Sequence, residues 1–179
     1  RGPCLGPLVV GLCAVPNDDV ALLVEAGVKD SKDLSIKKRL QLVEWYKQQM
    51  KSRGWKYVVN ICSPQRIDAA LSKDGLNILE VDLFAECLNS LSEQLSENVS
   101  ILADACDVKP QRFTDRIVAR VENWPWQDSE MESMHKADSI DPVVGMSSIF
   151  AKVTRDEMIE NISQQIGFSV GSGYPSDPN

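Results

Sequence analysis

Two aspartates stand where an α/β chain carries its chemistry. Asp104 closes a short apolar run, Val99 to Ala103, and lies within Ala103-Asp104-Ala105-Cys106-Asp107-Val108. Asp138 lies within His135-Lys136-Ala137-Asp138-Ser139, just ahead of the Asp141-Pro142 pair that opens a long helical pattern. Both positions are strand-to-helix edges, where side chains from separate elements converge. Carboxylates gathered there suit Mg²⁺ or Mn²⁺, hard ions that take oxygen ligands and keep positions open for a substrate phosphate. A lone aspartate in a loop more commonly caps the next helix or turn, so two of them do not by themselves distinguish a metal site from a pair of caps. His135 is the single histidine and lacks companion ligands; it reads as a hydrogen-bonded neighbour of the site rather than a metal ligand.

The elements that must position these residues alternate between strand and helix patterns. Leu8 to Val15 is a nearly continuous apolar run between Gly-Pro and Pro-Asn punctuation, a buried strand. Ser35 opens a helix whose apolar stripe is Ile36, Leu40, Val43, Tyr46 and Met50, with Gly54 at the C-terminal cap. Trp55 to Ile61 is β-branched and aromatic, and Ser63-Pro64 caps a short helix through Leu71. Asn77 and Glu80 have capping-box spacing, which predicts a helix from Asn77 to Leu95 with Phe84, Cys87, Leu88, Leu91 and Leu95 on its apolar face. Val99 to Asp104 is a strand, Phe113, Ile117, Val118 and Val121 mark a helix, and Glu130 to Lys136 is a strand. From Asp141-Pro142 a helix runs toward Ile166, and Gly167 to Asn179 is loop. The alternation predicts an α/β fold.

A chain of 179 residues, 43% of them hydrophobic, supports one domain with a real core. The longest apolar stretch, Leu5 to Val15, is broken by Gly6, Pro7 and Gly11 and falls short of the roughly 20 residues that span a bilayer. Pro7 within it favours a buried strand over a signal peptide. The five cysteines are scattered, without a C-x-x-C pair, which points away from a disulfide framework or zinc site and toward a reducing cytoplasm. Neither G-x-G-x-x-G nor a P-loop is present.

The net charge of −7 argues on its own against a polyanionic partner, but the charge is unevenly distributed. Lys29 to Arg39 holds five basic and two acidic residues, a candidate phosphate contact, while Glu80 to Glu97 carries five acids and no Lys or Arg, as a solvated helix face would.

Over essentially its whole length the sequence resembles the ribonuclease HII family. The resemblance is carried, in order, by Arg1-Gly2-Pro3 with Gly6-Pro7; Asp30-Ser31-Lys32 with Leu34-Ser35 and Lys38-Arg39; Leu76-Asn77; Asp104-Ala105-Cys106-Asp107-Val108 with Arg112-Phe113; and Lys136-Ala137-Asp138-Ser139 with Pro142-Val143-Val144. Ser147-Ser148-Ile149-Phe150-Ala151-Lys152-Val153-Thr154-Arg155-Asp156 and Gly171-Ser172-Gly173-Tyr174-Pro175-Ser176-Asp177-Pro178 complete the series, in wording closer to archaeal than to bacterial members.

The resemblance implies a ribonuclease H-like mixed sheet flanked by helices, in a single catalytic domain spanning residues 1–179. It also implies an endoribonuclease acting on RNA–DNA hybrids and on ribonucleotides embedded in DNA. Two of the family's four metal-binding carboxylates map onto Asp104 and Asp138. The other two, an Asp-Glu pair just ahead of the Arg-Gly-Pro on the family's first strand, fall outside this sequence, as does the family's C-terminal helical region. By the same resemblance Arg1 and Gly2 approach the sugar at the ribonucleotide, and Tyr174 stacks on the ribose and bonds to its 2′-hydroxyl, the group that separates RNA from DNA. Lys32 and Lys152 hold phosphates, and Asn77 donates to the nucleic-acid backbone from a helix start. A monomer in the cytoplasm, without membrane association, is expected. The rival reading is a non-catalytic protein that binds RNA–DNA hybrids through a decayed site.

Two further expectations are structural. Arg155 and Asp156 form a pair that seats the long helix, and Trp124-Pro125-Trp126 is an apolar loop over the core.

Overall fold

A computed structural model describes residues 6–73, 75–92, 94–95 and 98–171. The elements follow in the order β1 (Leu8–Ala14), α1 (Val20–Glu25), α2 (Ile36–Arg53), β2 (Lys56–Cys62), α3 (Pro64–Leu71), α4 (Leu76–Ser92), β3 (Ser100–Asp104), α5 (Pro110–Val118), β4 (Glu130–Met134), α6 (Ala137–Ile140) and α7 (Pro142–Ile166). Short 3₁₀ turns at Asn17–Asp19 and Ser31–Asp33 precede α1 and α2.

The predicted helix starts rest on the expected side-chain caps. Ser35 Oγ accepts the Lys38 N–H at 3.2 Å, Ser63 Oγ accepts that of Arg66 at 3.3 Å, and Asp141 Oδ1 accepts those of Val143 and Val144 at 2.8 and 2.9 Å. Gly54 ends α2 at φ 71°, a left-handed conformation that its missing Cβ makes inexpensive. The Asn77–Glu80 spacing misleads, because α4 begins at Leu76 and Asn77 is an exposed residue inside its first turn rather than its cap. The strand expected over Glu130 to Lys136 stops at Met134, since Lys136 turns left-handed at φ 60°.

β1 and β2 form an antiparallel ladder running from Leu8 opposite Cys62 to Ala14 opposite Lys56. β3 and β4 form a parallel ladder from Ser100 opposite Glu130 to Asp104 opposite Met134. Among the described residues each strand has one strand neighbour, so β1 and β3 each keep an edge without a strand partner. Between those edges lies a cleft of about 910 Å³, bounded by both strands and by α4 and α7, and Glu80, Asp104 and Asp138 also line it.

Helices cover both faces of the β1–β2 ladder. On one side Leu23, Leu42, Tyr46, Trp55, Met146 and Ile149 form the largest buried cluster, and the Tyr46 hydroxyl donates to the Lys56 carbonyl at 2.7 Å. On the other, Val10, Cys62 and Ile67 meet Leu79, Leu83 and Cys87 of α4. A third cluster joins α4 to α5 and β3 through Val81, Leu88, Ala103, Phe113 and Ile117. Helix α4 therefore buries residues around most of its circumference, as a helix in the middle of a layer must.

Contact between α7 and β1 depends on Gly11, where a Cβ would sit 2.3 Å from the Ser147 carbonyl oxygen. Beside it, Cys13 N–H donates to Ser147 Oγ at 2.9 Å, a bond to the helix in place of one to a strand. Trp124 and Trp126 pack on the third cluster as the expected loop over the core, and Trp126 Nε1–H donates to the Glu122 carbonyl at 2.7 Å. Cys13, Cys62, Cys87 and Cys106 are all free thiols, and no helix among the described residues is long and apolar enough to cross a membrane.

Candidate metal and nucleic-acid site

The last rung of the β3–β4 ladder is the foundation of the site. Ala105 N–H continues the parallel pairing to the Met134 carbonyl at 2.9 Å, which fixes Asp104 at the strand end. Beyond Met134 the chain reverses at Lys136, whose left-handed φ and ψ of 60° and 33° turn the next backbone N–H groups back toward β3. Asp104 Oδ1 accepts the Ala137 N–H at 3.1 Å. Ala137 is fully buried, so this return is anchored in the core, and Asp138 follows it in the first turn of α6.

The two aspartates are thereby brought within electrostatic reach of each other. Partial burial raises the Asp104 carboxyl above its usual range; the backbone donors oppose the rise, the Asp138 charge adds to it, and the Lys32 charge opposes it. A divalent cation relieves the repulsion between two such partly buried carboxylates. Among the described residues, no three His, Cys, Asp or Glu side chains come together as a metal-binding group. Two carboxylates nevertheless suit Mg²⁺ or Mn²⁺, which commonly take one or two from the protein and complete their shell with water and phosphate oxygen.

Glu80 is the site residue that sequence reasoning missed. Rather than belonging to a solvated acidic face, it is half-buried and lines the cleft with Asp104 and Asp138. Burial pushes its carboxyl up, with the nearby Cys106 thiol opposing the rise. The signal available was α4 itself, where buried positions on nearly every side left no purely solvated face. Asp107 of the same motif is a structural residue. Its buried carboxylate is gripped by Arg112 and Arg116 and accepts the Lys109 N–H at 2.9 Å, and the Arg112 bond leads in drawing it down to about 2.

The basic stretch divides into internal and surface residues. Arg39 is buried and donates to the Ser31 and Leu34 carbonyls at 3.0 and 2.7 Å, and Lys38 Nζ reaches the Ala26 carbonyl at 2.8 Å. Lys29, Lys32 and Lys37 are exposed, with Lys32 on the 3₁₀ turn whose charge is felt at Asp104. Lys152 lies one helical turn beyond Ser148 on α7 and pairs with Asp156 at 2.7 Å. Asp156 also meets Arg39 at 3.3 Å, so the pair expected from Asp156 to Arg155 is instead a bridge from α7 to α2. His135 is a neighbour of the site as expected, its Nε2 lying 3.3 Å from the Val108 carbonyl oxygen. Arg1, Gly2 and Tyr174 lie outside the described residues.

The family model described as ribonuclease HII matches residues 1–179. The ribonuclease HII of Methanocella arvoryzae is 41% identical to this chain over 179 residues, covering 99% of this chain and 74% of the relative. The crystal structure of the ribonuclease H2 from Pyrococcus horikoshii superposes with a TM-score of 0.81 at 36% identity, covering 99% of this chain and 78% of that one. The Archaeoglobus fulgidus RNase HII, solved in a complex with PCNA, gives a TM-score of 0.81 at 30% identity with the same coverages. The fold is thus ribonuclease H-like, and the chain belongs to the ribonuclease HII family, nucleases that hydrolyse the RNA strand of RNA–DNA hybrids.

Proposed function

We propose that this chain is the catalytic domain of an endoribonuclease that cuts both the RNA strand of RNA–DNA hybrids and single ribonucleotides embedded in duplex DNA. It leaves 5′-phosphate and 3′-hydroxyl ends and serves ribonucleotide excision repair as a cytoplasmic monomer. The observation that carries this reading is the convergence of Asp104 and Asp138, from β3 and α6, at one end of the cleft.

Asp104 and Asp138 would hold Mg²⁺ or Mn²⁺, which would supply charge relief at the phosphoryl oxygens, activation of a water and help for the departing 3′ oxygen. The chain's own contribution is geometric. The Lys136 turn aims the Ala137 N–H at Asp104 and so orients one carboxylate, while α6 carries the other. Lys32, whose charge is felt at Asp104, neutralises a backbone phosphate of the strand being cut. Lys152 and Asn77 hold further points of the duplex, and Arg1, Gly2 and Tyr174 read the 2′-hydroxyl.

The open edges of β1 and β3 support one further element of this reading. A cleft between two strand edges that lack strand partners accommodates an extended segment, which would complete one mixed sheet. The family's Asp-Glu strand is the segment we assign to it, and in that position its carboxylates join Asp104 and Asp138.

The test incubates the full-length gene product, with Mg²⁺ or Mn²⁺, with a DNA duplex bearing one ribonucleotide, an RNA–DNA hybrid and an all-DNA duplex. Cutting of the first two alone, with 5′-phosphate and 3′-hydroxyl products, is expected. A folded protein that binds the hybrid but cuts neither substrate would instead be a non-catalytic hybrid-binding protein.

A further inference from the structure

One hydroxyl lies between the site and an aspartate 108 residues before Asp138. Ser139 Oγ donates to Asp30 Oδ2 at 2.9 Å and lies 3.4 Å from Asp138 Oδ1. Asp30 is itself fixed, because its Oδ1 accepts the Lys32 N–H at 2.9 Å and so caps the 3₁₀ turn Ser31–Asp33. That turn is held on two further sides, by Ser31 Oγ against Ser148 Oγ of α7 at 3.0 Å and by Arg39 at the Ser31 carbonyl.

We propose that Asp30 is a positioning residue for Asp138, acting through the Ser139 hydroxyl. A serine has one hydroxyl proton to donate, and it goes to Asp30, the nearer of the two acceptors at 2.9 against 3.4 Å. The Asp138 oxygen that faces Ser139 therefore keeps its lone pairs for a cation. Without the Asp30 acceptor, Asp138 is the nearest carboxylate to which the hydroxyl can turn, and the bond it makes there competes with the metal. Asp30 also caps the turn that carries Lys32, whose charge is felt at Asp104.

The inference rests on Asp138 being a cation ligand, and the experiment separates the two claims. Mn²⁺ binding to the full-length gene product is followed through the electron paramagnetic resonance signal of the free ion, for wild type, D138N, D30N, S139A and D30N/S139A. In D30N the amide oxygen still accepts the Lys32 N–H, but its NH₂ cannot accept from Ser139. Binding is expected to weaken roughly tenfold, as for other groups that orient metal ligands. Removing the hydroxyl as well restores binding, so that D30N/S139A matches S139A. A purely structural role for Asp30 predicts no such rescue. D30N binding like wild type, or the double variant remaining as weak as D30N, overturns the proposal. D138N binding Mn²⁺ like wild type overturns the reading of Asp138 as a ligand, and this inference with it.

Discussion

Asp104 Oδ1 accepts the backbone N–H of Ala137, the residue immediately before Asp138, so the strand end that presents one carboxylate is bonded directly to the turn that presents the other. The strand end and the turn are therefore held together by a bond to one of the two acids.

That geometry has a cost in the absence of metal, with a defined dependence on pH. The folded state raises the Asp104 carboxyl above its ordinary 3.8, so it binds this proton more tightly than the unfolded chain does. Stability from this group is complete below 3.8 and is lost as pH rises through the raised value. At neutral pH the metal-free Asp104→Asn variant is expected to melt above wild type, with the gap closing in acid. Added Mn²⁺ should raise the wild-type Tm and leave that of Asp104→Asn nearly unchanged. Calorimetry from pH 3 to 7 measures both effects.

Asp107 carries the opposite sign. Its carboxyl is drawn down from 3.8 to about 2, so its stabilisation is complete above 3.8 and is lost as pH falls toward about 2. Asp107→Asn should lower the Tm at neutral pH and approach wild type at the acid end of a melting series. A deficit that does not shrink in acid would show that the Arg112 and Arg116 pairs are not its source.

Lys136 holds a left-handed conformation that costs a side chain roughly 1 kcal/mol. Lys136→Gly is expected to stabilise by up to about that amount in urea melts, whereas Lys136→Val, β-branched and ill-suited to positive φ, should destabilise by a similar amount. Loss of cleavage in the valine variant at full folding would trace to a misdirected Ala137 N–H.

Gly11→Ala tests the seating of α7 on β1. The added Cβ would meet the Ser147 carbonyl oxygen at 2.3 Å, backbone against backbone, and about 3 kcal/mol of stability should be lost in denaturant titration.

Much of the fold was legible because its signals are local. Ser35, Ser63 and Asp141 cap the helices they were expected to cap, and the apolar runs at Leu8 and Val99 are strands. Helix α1, six residues long, was too short for periodicity to register. Asn77 and Glu80 show how a local rule fails, since their spacing imitates a capping box while Glu80 instead serves the cleft. Strand partners and the Asp30–Ser139 bond join residues far apart in sequence and leave no trace in spacing. Asp104 and Asp138 each sit at a strand-to-helix edge, but that alone did not separate a metal site from a pair of caps, and the wording around them carried the candidate; the Lys136 turn that joins them depends on a left-handed residue that is not glycine.

The most direct measurement of the central claim compares wild type, Asp104→Asn and Asp138→Asn of the full-length gene product on a DNA duplex bearing one ribonucleotide, with and without Mn²⁺. Metal-dependent cutting confined to the ribonucleotide in wild type, reduced in both variants to the all-DNA background while their folds persist, is the predicted result. Cutting that survives either substitution, or that needs no divalent cation, would contradict the assignment of these two carboxylates.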